Sequence, residues 1–130
     1  MKNNILKSII YLYYFSLFIL LIIYFFPGSI IGYLLYSDSG KQPSLVSSPA
    51  GTAINHFFYF FYLTFLGLIY NLSEKKFINS FLFLSVLSFF LELLHFFIPN
   101  RAFELNDLLA NITGVVSIFF LFKLKKKFIS

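Results

Sequence analysis

The chain has 130 residues, of which 59% are hydrophobic, 23% aromatic and only 12% charged. Soluble domains average about 25% charged residues, so the expected solvent here is a bilayer. With no cysteine, disulfides, thiolate metal ligands and a cysteine nucleophile are excluded. The net charge of +5 does not point to nucleic acid, because Lys123, Lys125, Lys126 and Lys127 sit directly after an apolar run, where lysines anchor a span to anionic lipid.

Four hydrophobic runs follow one another. The first, about residues 5 to 26, contains "SIIYLYYFSLFILLIIYFF" behind Lys2 and Lys7 and stops at Pro27-Gly28. Its length exceeds the roughly 7–15 apolar residues of a secretory signal, so a retained anchor is expected. Residues 32 to 52, "GYLLYSDSGKQPSLVSSPAGT", read as a loop from their Gly, Pro and Ser content. The second run covers about 53 to 72. After the polar turn "SEKK" the third covers about 77 to 98, and after "PNR" the fourth covers about 105 to 122. Hydrocarbon offers no water to backbone groups, so each run is expected to be a helix. The predicted fold is all-α: a single domain of four transmembrane helices in an antiparallel bundle.

Orientation follows from the basic residues. With both termini cytoplasmic, Lys2, Lys7, Lys75, Lys76 and the four C-terminal lysines lie inside, against Lys41 and Arg101 outside, a bias of eight to two. The abundant Phe and Tyr are expected to face lipid and form interfacial belts.

Only five acidic residues occur, and most of them gather in "FLELLHFFIPNRAFELNDLLANITGVV", residues 90 to 116. Glu92 lies six residues before the outer end of the third run, about 9 Å deep. His95 lies one turn nearer the surface, while Asp107 and Asn111 pass the same level on the fourth run and His56 opens the second. Glu92 and His95 are spaced i, i+3, and Asp107 and Asn111 i, i+4, so each pair shares a helical face. Gly114 continues the second stripe and permits a neighbouring helix to approach. Glu92 is expected to meet Asn111 or Arg101, the only arginine. An acid at helix-centre depth costs about 2.5–3.5 kcal/mol, so it should pair or line a wet cavity.

Each of these residues also has a bland role. Glu92 and Arg101 suit a structural salt bridge, Arg101 a headgroup anchor, Asp107 a helix cap, and the histidines a wet interface. Glu92-x-x-His95 with His56 and Asp107 resembles in spacing the ligand sets of metal-binding bundles. No Gly-rich phosphate loop or nucleophile elbow is present, and no cofactor is expected.

The same residues resemble the VanZ-like family, whose signature runs Glu-x-x-Gln, Pro-x-Arg, then Asp-x-x-x-Asn-x-x-Gly. Glu92, Pro99, Arg101, Asp107, Asn111 and Gly114 stand at the matching positions, and His56 with Tyr59 echoes a His-x-x-Tyr element of the second helix. The chain departs from the pattern at His95, where the family has Gln, a poor transition-metal ligand, so no metal is expected. Thr52-Ala53 replaces Asp-Lys, and Ile118 replaces a second Gly. The resemblance implies a multi-pass cell-membrane protein of the bacterial envelope, linked through the named family member to low-level teicoplanin resistance.

Two functions are therefore expected in order. The first is an outward-facing polar cluster of His56, Tyr59, Glu92, His95, Arg101, Asp107 and Asn111 that binds an anionic lipid-linked or glycopeptide ligand. The alternative is a membrane enzyme in which Glu92 or Asp107 does acid–base work with His56 or His95. Membrane lipids are expected partners, nucleic acid is not, and a homo-oligomer is left open.

Overall fold

The computed structural model describes residues 2–44, 51–70 and 74–129. Among them there are five helices and no strand: α1 Lys2–Phe25, α2 Ile30–Tyr36, α3 Ala53–Tyr70, α4 Glu74–Leu94 and α5 Leu105–Ile129. Two helices are long and apolar enough to cross a membrane: α1 over Asn4–Phe25, at mean hydropathy 2.2, and α5 over Leu105–Leu124, at 1.7. Shorter apolar stretches occupy α3 and α4, at Ala53–Ile69 and Asn79–Leu94.

Three boundaries differ from the sequence reading. Part of the expected loop is helical, because Ser29 caps α2: its hydroxyl accepts from Gly32 N at 2.9 Å, and Ser37 closes the helix in the left-handed conformation. Residues 45–50 of that loop, Asn71 and Leu72 of the second run and Ser73 of the "SEKK" turn lie outside the described residues. Helix α4 stops at Leu94 rather than near residue 98. Backbone N–H groups of His95, Phe96 and Phe97 bond three residues back, to Glu92, Leu93 and Leu94, and the chain then turns through Pro99 and left-handed Asn100. Proline disfavours a helical residue before it, which accounts for the early stop. At its other end α5 runs on through the lysines to Ile129, beyond the end of the apolar run near residue 122.

A core of Leu20, Tyr24, Phe60, Leu63, Leu84, Leu91 and Val115 draws on α1, α3, α4 and α5. Helix α3 packs most extensively on α5. Gly114 explains why: a Cβ there would lie 2.5 Å from Phe57 O and 3.0 Å from Phe61 N, so the two backbones are in direct contact. Ile118, which takes the place of a second glycine, is buried in the core one turn later.

Beside this apolar core, polar side chains are buried and large apolar ones are exposed. Glu92, Asn111, Asp107, Ser88 and Thr64 are buried, while Tyr11, Phe18, Phe83, Phe90 and Phe120 are exposed. A buried polar cluster and an exposed apolar exterior are compatible with lipid as solvent.

Candidate functional site

The polar side chains converge where α1 and α4 end and α3 and α5 begin. Tyr24, three residues before Pro27, is buried at the centre of this end. Its hydroxyl lies 2.8 Å from His56 Nδ1 and accepts from Asn111 Nδ2 at 3.0 Å. His56 Nε2 in turn lies 3.4 Å from Asp107 Oδ2. One assignment of protons satisfies the whole chain: Asn111 donates to Tyr24, Tyr24 donates to His56 Nδ1, and His56 Nε2–H faces the Asp107 carboxylate. The reversed tautomer requires a protonated Asp107: Asp107 then donates to His56 Nε2, His56 Nδ1–H to Tyr24, and Tyr24 to Asn111 Oδ1 at 3.3 Å. Tyr24, His56 and Asp107 thus lie in a row.

A second pair lies beside the first. His95 Nδ1 is 3.2 Å from Glu92 Oε1, which also accepts from the backbone N–H of Glu104 at 3.1 Å, joining α4 to the start of α5. The Tyr24 ring stacks on His95, with centroids 5.0 Å apart and planes 15° apart. Glu92 Oε2, His95 Nε2 and Asp107 Oδ1 are buried without a protein partner. Buried polar atoms of this kind are ordinarily satisfied by internal water or a ligand.

Two expected partnerships are corrected. Glu92 bonds neither Arg101 nor Asn111. Arg101 instead reaches the end of α1, with Nη2 donating to Ile23 O at 2.8 Å and Nε to Phe26 O at 3.4 Å. The physical reason is that the last carbonyls of a helix have no intrahelical partner and carry negative partial charge, and no basic residue lies in the last turn of α1. Burial lowers the Arg101 pKa from its ordinary value, against the opposing pull of nearby groups that include Glu92 and Asp107. Asp107, for its part, does not spend its carboxylate on a cap; its partner is His56.

Tyr59 stands apart from the cluster, donating to Ser16 O at 2.8 Å. It nonetheless lines a cavity of about 140 Å³ between α1, α3 and the segment after α1, together with Tyr24, Ser29, His56 and Arg101. Among the described residues Arg101 is the only lining residue with a permanent charge, and Glu92, His95, Asp107 and Asn111 are not part of the lining. The segment forming the outer wall is held by one backbone and one side-chain hydrogen bond. Ser29 N donates to Ser39 O at 2.7 Å, and Asn55 Nδ2 donates to Pro43 O at 2.7 Å. Gly28, at φ +84°, lies so near Ser39 that a side chain would collide with its carbonyl.

Tyr24 and the α2 segment are absent from the sequence reading. Tyr24 was hidden among nine tyrosines, although its position just before Pro27 places it at the level of the other polar groups. Among the described residues no group of three or more His, Asp and Glu is arranged to hold a metal ion.

Known protein families, curated proteins and solved structures contain no match to this chain.

Proposed function

We propose that the chain is a VanZ-like envelope protein whose four long helices, α1, α3, α4 and α5, form an antiparallel bundle in the cell membrane, with both termini cytoplasmic. The eight-to-two lysine and arginine bias supports that orientation. It puts the cavity in the outer leaflet. There the protein binds the anionic polar end of a lipid-linked or glycopeptide ligand, and by doing so contributes to glycopeptide tolerance.

A single observation carries the reading: the cavity has one permanent positive charge, Arg101, and a polar wall of Tyr24 and His56 backed by buried Asp107 and Asn111. Two of the five guanidinium N–H groups go to carbonyls, and in this reading the anion takes its hydrogen bonds from the others. Purified protein in nanodiscs is expected to bind phosphatidylglycerol in preference to phosphatidylcholine. His56→Gln and Arg101→Gln should each weaken that preference about tenfold, equivalent to about 1.4 kcal/mol. Undiminished preference in both variants removes the cavity from the account.

The Tyr24–His56–Asp107 row favours one second reading, an enzyme that moves a proton to or from the bound ligand. Tyr24→Phe separates the two. Ligand bound as before but no longer converted, by mass spectrometry of the recovered lipid, identifies an enzyme; no conversion by the unaltered protein leaves a binding protein.

A further inference from the structure

The cavity is too small for a whole glycopeptide. Sites for drug-sized molecules occupy roughly 300–1,000 Å³, against about 140 Å³ here. It accommodates a headgroup, and the rest of the ligand must leave it.

A way out adjoins it. An open groove lined by Ile31 and Leu35 of α2 and by Phe58 and Tyr62 of α3 shares Ile31, Pro43, Asn55 and Tyr59 with the cavity. The two hollows therefore adjoin, with Tyr24, His56 and Arg101 lining the first and mainly apolar side chains the second. All four groove side chains are exposed. The Tyr62 hydroxyl is engaged with Ser16 Oγ at 3.0 Å, which leaves its ring to face the groove. Aromatic and aliphatic walls leading to a lone guanidinium match one chemistry, a hydrocarbon chain carrying an anionic head.

We propose that the occupant is an anionic phospholipid, with its phosphate at Arg101 and His56 and one acyl chain lying in the α2–α3 groove. This rests on the ligand-binding reading above and narrows it from any anionic envelope ligand to a lipid that enters sideways from the bilayer. The short helix α2, which the sequence hid inside a loop, becomes the wall that separates a bound chain from bulk lipid.

The test uses the full chain in phosphatidylcholine nanodiscs with phosphatidylglycerol bearing a diazirine near the end of one acyl chain, followed by mapping of the crosslinks. Expected is labelling of the peptides carrying Leu35, Phe58 and Tyr62 that falls about tenfold with excess unlabelled phosphatidylglycerol, but not with further phosphatidylcholine. Labelling at Phe120 and Leu121, exposed on α5, should respond equally to both lipids. Leu35→Trp, a change at an exposed position, should fill the groove and lower groove labelling severalfold while helix content by circular dichroism is unchanged. Soluble glycerol phosphate should compete far less well than the lipid. Groove labelling no more selective than that at Phe120 overturns the inference, as does full labelling in Leu35→Trp or equal competition by glycerol phosphate. If anion-selective binding that needs His56 persists in any of those cases, only the acyl-chain assignment falls. If no selectivity for the anion exists at all, the binding reading falls with it.

Discussion

Two histidine–carboxylate pairs occupy the same end of the molecule, and their surroundings differ. His95 and Glu92 are 3% and 0% exposed, sit three residues apart, and are sealed by Tyr24 and the backbone of Glu104. His56 and Asp107 are 13% and 7% exposed, come from α3 and α5, and pass through Tyr24 to a cavity. Chemistry alone does not separate them, since each is one imidazole against one carboxylate. The closed pair fastens α4 to the start of α5, whereas the open pair is positioned by a helix–helix contact and faces space a ligand can enter. One is suited to holding the fold and the other to using it.

The sharpest way to break that contrast is Glu92→Ala. It removes the acceptor for both His95 and the Glu104 N–H in a fully buried setting, where loss of one partner costs about 3–5 kcal/mol. Folded protein recovered from membranes should fall steeply. Glu92→Gln keeps an oxygen for Glu104 and should retain much of the fold. If Glu92→Ala unfolds no more readily than Asp107→Ala, the closed pair is not the structural one.

Gly114→Ala tests the contact that aligns the open pair. The added methyl would meet Phe57 O at 2.5 Å, so α3 and α5 must separate, at about 1–3 kcal/mol for an overpacked interface. His56 and Asp107 sit on those two helices, and the change should weaken anionic-lipid binding by more than the loss of folded protein explains. Intact binding together with reduced stability would mean that the pair does not depend on this spacing.

These variants also mark what the sequence disclosed. Helix class, the apolar exterior and the grouping of Glu92, His95, Asp107, Asn111 and His56 at one end were legible, because long apolar runs favour helices and a rise of 1.5 Å per residue turns sequence position into position along a helix. Partner choice was not. Arg101 turned to the end of α1 rather than to Glu92, a decision made by orphan carbonyls that carry no sequence mark. Helix α2 spans only seven residues inside a stretch rich in Gly, Ser and Pro, too short for periodicity to register. Tyr24 escaped because phenol in a membrane protein is ordinarily an interfacial anchor; applying the depth argument to α1 as well as α4 and α5 would have drawn it in.

For the open pair, His56→Gln should cost only about 0.5–1.5 kcal/mol, the net worth of an ordinary hydrogen bond, since the glutamine amide still offers buried Tyr24 and Asp107 a polar partner. Its effect belongs on ligand binding. A thermal or denaturant transition close to that of the unaltered protein, combined with lost selectivity for anionic lipid, is the expected signature. A large drop in stability would make His56 a second structural fastening.

The finest distinction concerns Tyr24, which touches both pairs in different ways: a hydrogen bond to His56 and a ring stack on His95. Tyr24→Phe deletes the hydroxyl and keeps the ring, so it removes the first interaction and preserves the second. In a double-mutant cycle it should therefore couple to His56→Gln by about 1 kcal/mol and to His95→Gln by nearly nothing. Additivity is the expectation for groups that share no broken contact, and stacking survives in the Phe variant, which is why the two cycles should disagree. Equal coupling in both would show that the hydroxyl's loss reaches His95 through the ring. Six side chains, Tyr24, His56, Glu92, His95, Asp107 and Asn111, would then act as a single network, and the division between a closed and an open pair would fail at the residue that joins them.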